Sequence, residues 1–451
     1  MCSDTKIFIN DIENKIISEL WNGFCSHRMN AKFIQGEEDR ISMGKATFIP
    51  LEKGDEYTVC IKKEGVGILS DSNQGLLHGF MMLMMCIEQL SADLFGIECR
   101  NIHGNFSVKT RMVHLCVFPE TSYETIRRQI RLCGILQYTH IIVEFWGMLK
   151  YDCLKELSWA CGFEKDDVKK LVSEIRGMGM EPIPMVNHLG HATQCRIMNG
   201  KHTVLDQNAG LSYLFTPDGW AWNIHSDEVH ILLTQMRKEL YELFGQGEFV
   251  HLGCDEAYIF SNGYIKKEEL RDYLGKITSE AVLEGRKPII WADMLVGDKE
   301  ADCVGECYYC AKVEINEAEL IRSSIAPETI IADWQYNIKE GKIKTSVVLK
   351  EKGYKVVVCP WYDSENIQIC VDTAREEELF GVMETTWNTL SDKMQSLVIC
   401  ARKCGLPDTA WSAFADVRAE TATLLRNVSE PGRMYEECGF TAHQVGERNL
   451  D

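Results

Sequence analysis

The sequence predicts a (β/α)8 TIM barrel preceded by a small α/β domain, and three observations lead there. From about residue 110 onward, short apolar runs alternate with helix-like stretches, the signature of repeated βα units. There are eight such runs, the number a closed parallel barrel needs. None is followed by G-x-G-x-x-G, the glycine pattern that would favour an open doubly wound sheet. The residues before this alternation follow a different pattern, so the chain divides into an N-terminal α/β domain at 1–105 and a barrel at 106–451 that ends in a helical segment.

In the first part, Ala46–Pro50, Glu56–Ile61 and Gly65–Leu69 read as strands, and Gly75–Leu90 reads as an apolar helix. The methionines at 81–85 fit a packed helix face better than a cofactor site. In the second part the eight strand candidates are Met112–Phe118, His140–Phe145, Glu181–Asn187, Phe249–Gly253, Pro288–Asp293, Thr329–Asp333, Lys355–Cys359 and Phe380–Thr385. Tyr123–Leu136, Glu164–Gly177, Ser226–Phe244, Lys267–Glu284 and Glu314–Ile321 read as helices between them.

Composition narrows the function classes. The 451 residues carry a formal net charge of -19, which argues against non-specific nucleic-acid binding, since phosphate contact needs clustered Lys and Arg, and nucleic acid is not an expected partner. The longest unbroken apolar stretch, Gly79–Ile87, is far too short to span a bilayer, and Met1–Gly23 mixes charges among its apolar residues instead of forming a signal-peptide core. Nineteen cysteines are scattered through strand-like runs, and the single close pair, Cys307 with Cys310, is a weak metal or redox signal. Free thiols without an export signal point to a cytoplasmic protein. No cofactor motif or complete metal-ligand pattern stands out. A homodimer is allowed by the sequence and not specified by it.

Function in such a barrel is expected just past the C-terminal ends of the strands. Trp146, Trp291, Trp334, Trp361 and Trp387 fall there, half of the chain's ten tryptophans, which suggests a box of aromatic faces. The C–H faces of a sugar ring stack on such surfaces, so a carbohydrate is the natural ligand. The fourth strand candidate ends in Gly253-Cys254-Asp255-Glu256. Two adjacent carboxyls at the end of an apolar strand repel each other and lose hydration, which favours a raised pKa on one of them and hence a general acid near neutral pH. Strand alternation would send Asp255 and Glu256 to opposite faces unless the chain turns between them.

These residues resemble the family 20 glycoside hydrolases, the β-N-acetylhexosaminidases. His251-Leu252-Gly253-Cys254-Asp255-Glu256 is similar to the family's His-x-Gly-Gly-Asp-Glu, with Cys in place of the second Gly as in the intracellular branch around hexosaminidase D. Gly190-His191-Ala192, Trp361-Tyr362-Asp363 and Thr386-Trp387-Asn388 resemble further family stretches. The resemblance implies exo-acting, metal-free, retaining hydrolysis of a terminal N-acetylhexosamine from an oligosaccharide, with the substrate's own 2-acetamido oxygen as nucleophile. It implies Glu256 as acid/base, Asp255 as the partner of the acetamido N–H and Tyr362 as donor to the acetamido oxygen. Trp334, Trp361 and Trp387 would wall the pocket, His191 would support the site, and Arg111 would bind sugar hydroxyls; Trp291 and Asp293, at the end of the fifth strand candidate, are expected to bind substrate as well. The N-terminal domain would be non-catalytic.

The sequence also departs from the family. The first strand lacks the usual acid, and Thr389 stands where secreted members place the acid that reads the sugar's outer hydroxyls, so the choice between gluco and galacto epimers is open. Two other readings compete. One is a sugar-binding protein on the same fold without catalysis. The other is a metal-dependent barrel hydrolase using His114, His188, His191, His251 and Asp293, although Val113-His114-Leu115 supplies only one histidine where such enzymes have His-x-His.

Overall fold

The computed structural model describes residues 41–45, 54–63, 65–91, 94–192, 208–257, 263–297, 300, 313–387, 393–410, 412 and 416–428. The strand expected at Ala46–Pro50, the Cys307/Cys310 pair, Asn388 and Thr389 lie outside them.

Eight strands close in sequence order: β7 (Arg111–Cys116), β8 (His140–Glu144), β9 (Glu181–Met185), β10 (Phe249–Gly253), β11 (Lys287–Trp291), β12 (Ile330–Trp334), β13 (Lys355–Cys359) and β14 (Gly381–Thr385). Every neighbouring pair is parallel, including the closing pair β14 with β7. Each strand falls within a residue or two of its expected position because both faces are buried and the apolar run stands out. Alternate residues fill the interior: Met112, Ile142, Ile183, Met185, Phe249, Ile289, Ile330, Val357 and Met383 form one cluster closed over by Trp291 and Trp334.

Helices Tyr123–Ile135, Lys165–Gly177, Asp227–Phe244, Lys267–Leu283, Ile315–Arg322, Lys344–Glu351, Ser364–Glu376 and Gln395–Lys403 follow the successive strands. Several begin where a side chain caps the first turn: Ser122 accepts from Thr125 N, Ser226 from Val229 N, and Asp363 from Glu365 N and Asn366 N. A last helix, Val417–Val428, packs near the first of these.

Ahead of the barrel stands a four-stranded sheet in the order β1 (Ile41–Lys45), β3 (Gly65–Ser70), β2 (Tyr57–Lys62), β6 (Asn101–Gly104), parallel between β1 and β3 and antiparallel elsewhere. Its helix runs from Asn73 to Met85, not from Gly75 to Leu90 as expected. Ser72 caps its start, and the last residues expected to be helical fall instead in strand β4 (Glu88–Ser91), paired with β5 (Leu94–Gly96). Met81, Met82, Met84 and Met85 are all fully buried, the packed face expected of them.

The sheet and the barrel meet at the strands' N-terminal end. Arg111 opens β7 there, buried. Its guanidinium pairs with Asp55 and donates to the carbonyls of Val108, Lys109 and Gln137, while Phe106 lies 3.6 Å beneath it. The expectation that Arg111 binds sugar hydroxyls is therefore corrected. Strand alternation turns Met112 and His114 inward and leaves Arg111 at the opposite end from the mouth, where its donors are taken by the domain junction.

Candidate active site

The mouth is built around the end of β10. The register against β11 slips between His251 and Gly253, so β10 carries one extra residue there. Gly253, Cys254 and Glu256 then adopt positive φ of 66°, 71° and 47°. A bulge followed by left-handed residues bends the chain sharply, and strand alternation no longer separates Asp255 from Glu256. Both carboxylates reach one imidazole: His191 Nε2 lies 2.8 Å from Glu256 Oε2 and 3.5 Å from Asp255 Oδ2. Two glycines permit the approach. A Cβ on Gly253 would sit 2.5 Å from the Asn187 side chain, and one on Gly190 would sit 2.0 Å from the Asp255 carbonyl.

Each acid is held differently. Asn187 donates to Asp255 Oδ1 at 2.7 Å, and its own Oδ1 accepts from Cys254 N and Leu189 N, so one amide fixes the bend and the carboxylate together. Asp293, fully buried after β11, accepts from Glu256 N at 2.7 Å, and Trp220 Nε1 donates to the Glu256 carbonyl. The Trp220 ring lies 4.7 Å from that of His191. Burial raises the Asp255 pKa, opposed by His191 and reinforced by Glu256 and Glu144. Burial, with the charges of Asp255 and Glu256, pushes Asp293 well above the usual carboxylate range. The crowding expected from sequence is real, and the rise falls on Asp255 and on an acid one strand away.

Four of the five tryptophans converge. Trp291 and Trp387 lie 5.5 Å apart, Trp387 Nε1 donates to Tyr336 Oη at 2.7 Å, and Trp334 stacks on Tyr336 at 5.2 Å. Trp361 lies 5.3 Å from Tyr336, its ring tilted against it. Trp146 does not join them; it packs against Trp222. Tyr362, 40% exposed and with φ of 32°, sets its ring edge-on against Trp361 and under Lys393 Nζ.

Other polar groups near the strand ends have separate partners. His188 donates Nδ1–H to the Val186 carbonyl and accepts from Arg237 at Nε2, and burial lowers its pKa to about 3. Asp333 accepts from Thr345 and Ser346, and Asp363 caps its helix and pairs with Lys339. The histidines of the metal-hydrolase reading therefore do not gather at one point. Among the described residues, His114, Cys116 and Glu144 do present ligand atoms within 4.8 Å of one another, joined by hydrogen bonds from His114 Nε2 (3.0 Å) and Cys116 Sγ (3.3 Å) to Glu144 Oε2. Three contributors escaped sequence reasoning: Asn187, Trp220 and Tyr336. Tyr336 had a usable signal, standing two residues past Trp334 and so on the same face of the strand end.

No model of a known protein family matches the chain. Solved structures do resemble it. Chitobiase from Flavobacterium johnsoniae aligns at 15% identity over 95% of this chain and 69% of that one, with a TM-score of 0.67. The family 20 β-N-acetylhexosaminidase of Streptomyces coelicolor A3(2) aligns at 14% identity over 94% and 90%, with a TM-score of 0.66. N-acetyl-β-hexosaminidase of Streptomyces plicatus, solved in complex with Thio-NAglucal, aligns at 14% over 95% and 92%, with a TM-score of 0.67. The chain shares with these structures the fold of family 20 β-N-acetylhexosaminidases, a (β/α)8 barrel behind a small N-terminal sheet domain.

Proposed function

We propose that the chain is an exo-acting β-N-acetylhexosaminidase that removes terminal β-linked GlcNAc or GalNAc from an oligosaccharide with retention of configuration. The observation that supports this reading is the meeting of Asp255 and Glu256 at His191, on the same barrel mouth as the wall of Trp291, Trp334, Trp361 and Trp387.

In this reading the sugar stacks on the tryptophans and its 2-acetamido group lies against Asp255. The acetamido oxygen attacks the anomeric carbon while Glu256 gives its proton to the leaving oxygen, forming a cyclic oxazolinium. Positive charge grows on the amide nitrogen in that step, so the Asp255 carboxylate binds the transition state more tightly than the ground state. Glu256, now ionised, takes a proton from water, which opens the ring from the face the leaving group vacated. His191 holds the two acids in register, Asp293 fixes the Glu256 backbone, and Tyr362 donates to the acetamido oxygen. No step requires a metal or cofactor. We further place the protein in the cytoplasm, where alkylation followed by mass spectrometry should find its cysteines reduced.

The test is hydrolysis of aryl β-GlcNAc and β-GalNAc beside the matching β-glucoside. The N-acetyl substrates should turn over and the glucoside, which lacks the internal nucleophile, should not. Equal rates on all three would remove the acetamido group from the mechanism.

A further inference from the structure

His114, Cys116 and Glu144 meet at the top of the barrel interior. Alternation along β7 carries His114 and Cys116 to the same inward face as Met112, and alternation along β8 carries Glu144 to the same face as Ile142. Three side chains of unlike chemistry therefore end in one layer, at the C-terminal ends of neighbouring strands. Cys116 and Glu144 are direct partners in the strand register, and all three residues are buried. His114 Nε2 lies 3.0 Å and Cys116 Sγ 3.3 Å from the same oxygen, Glu144 Oε2, and no two of the three atoms are more than 4.8 Å apart. A tetrahedral zinc ion with ordinary bond lengths sets its nitrogen and oxygen ligands about 3.3 Å apart and its sulfur and oxygen ligands about 3.5 Å apart. The two hydrogen bonds thus hold two edges of such a tetrahedron close to their final lengths. The other ring nitrogen, His114 Nδ1, is buried without a hydrogen-bond partner among the described residues, so nothing on that side ties the imidazole to one tautomer.

Imidazole nitrogen, thiolate sulfur and a single carboxylate oxygen suit zinc, whereas magnesium and calcium take oxygen ligands. Three protein ligands leave the fourth tetrahedral position to water. We propose that His114 Nε2, Cys116 Sγ and Glu144 Oε2 form a zinc-binding site with one open position beside the barrel mouth. On binding, the Cys116 S–H bond breaks, its proton leaves to solvent and a Zn–S bond forms; the imidazole proton sits on Nδ1, and no electron is transferred. With no acceptor for that Nδ1 proton, the site lacks the outer support of tight zinc sites, and binding is reversible. The His114 ring lies 4.7 Å from that of Trp387 and 5.9 Å from that of Trp291, and Glu144 is among the charges that act on Asp255. A doubly positive ion at Glu144 opposes the positive charge that grows on the substrate in the proposed reaction. Zinc here is therefore an inhibitor and not a participant in the chemistry, a consequence that rests on the glycosidase reading, as the site itself does not.

The experiment uses the full chain stripped of metal by a chelator. Zinc binding is measured by calorimetry, and ligand identity by cobalt(II) absorption, in which a cobalt–thiolate bond gives a near-ultraviolet charge-transfer band. Cys116→Ser should lose that band and, like Glu144→Gln, weaken zinc binding by about 10²-fold, a loss that even a ligand's supporting partner can cause. Cys307→Ser/Cys310→Ser, which removes the close cysteine pair, should keep both band and affinity. Zinc should raise the melting temperature of wild type but not of Cys116→Ser or Glu144→Gln, and the near-isosteric Glu144→Gln carries the test if Cys116→Ser does not fold. Saturating zinc should slow wild-type hydrolysis of aryl β-GlcNAc by roughly tenfold or more, with a midpoint at the calorimetric Kd and recovery in EDTA. Cobalt bound without a thiolate band, or a zinc affinity equal in wild type and the Cys116 and Glu144 variants, overturns the site and leaves the glycosidase reading standing. Zinc bound through Cys116 with an unchanged rate keeps the site and overturns the inhibition. A chain that binds zinc through Cys116 yet hydrolyses no N-acetylhexosaminide supports the site and overturns the glycosidase reading.

Discussion

The two ends of the barrel bury charge in opposite ways. At the N-terminal end Arg111 is matched by Asp55 and by three backbone carbonyls, and His78, 3.6 Å from the same carboxylate, is kept neutral by burial with its pKa near 3. At the C-terminal mouth Asp255 and Glu256 share the His191 imidazole, Asp293 lies close enough to accept from the Glu256 backbone N–H, and the backbone is left-handed at Cys254, Glu256, His191, Tyr362 and Trp387. One end minimises electrostatic energy. The other holds like charges close together, as expected where a fold trades stability for chemistry, while left-handed non-glycine backbone occurs at both ends, at Gln137 and Glu378 as well as at the mouth.

Substitutions at the two ends should therefore have opposite signatures. The largest effect is expected from Glu256→Gln, which should slow substrates with poor leaving groups by about 10²–10⁴, the range for general acid catalysis, and spare glycosylation of those with very good ones. Equal losses in a leaving-group series would remove Glu256 from the acid role. Asp255→Asn should lower kcat by roughly 10²–10³, since the amide keeps the shape but not the charge that meets the developing cation. Because burial raises the Asp255 pKa, its charge is lost as pH falls through a value above the ordinary one; the acid limb of the wild-type rate profile should change shape in the mutant. A normal rate in Asp255→Asn with a lower melting temperature would make the residue a structural support.

The opposite end provides the contrast. Arg111→Met strands Asp55 in a buried site and should destabilise by about 3–5 kcal/mol, the usual consequence of removing one partner of a buried pair. The kcat of the folded fraction should be unchanged. A specific loss of sugar affinity in this variant, with normal melting, would return Arg111 to the sugar site.

The smallest effect is expected beside the mouth, at Glu384. It is fully buried, on the strand face opposite the inward-pointing Met383, and burial lifts its pKa from 4.5 to about 8. The sign follows from the raised folded value: the protonated form fits the native state, so stability present below pH 4.5 is lost progressively as pH rises through about 8. Glu384→Gln should raise the melting temperature at pH 9 and leave it unchanged at pH 4. A gain of the same size at both pH values would rule out titration as its cause.

The barrel was legible because a parallel strand buried on both faces leaves an unbroken apolar run, and β10 and β13 fall on their expected residues. Asp255 and Glu256 were legible because two acids ending such a run are conspicuous. That both would reach His191 was not, because it depends on a one-residue bulge and on left-handed backbone at Cys254 and Glu256, neither a residue type that announces such a conformation. Arg111 was misplaced by one step of strand alternation, which carries a side chain from the interior to the domain junction. Trp220 and Asn187 reach the site from loops whose path is set by tertiary packing, with no periodicity to reveal it.

In the proposed reaction the substrate's own acetamido oxygen attacks first and water second, both at the anomeric carbon. Proton NMR of the first turnovers, taken before the sugar equilibrates between anomers, tests it most directly. Two successive inversions predict that the newly released N-acetylhexosamine carries the β configuration. Initial appearance of the α-anomer would mean a single direct displacement by water and would contradict the roles assigned to Asp255 and Glu256.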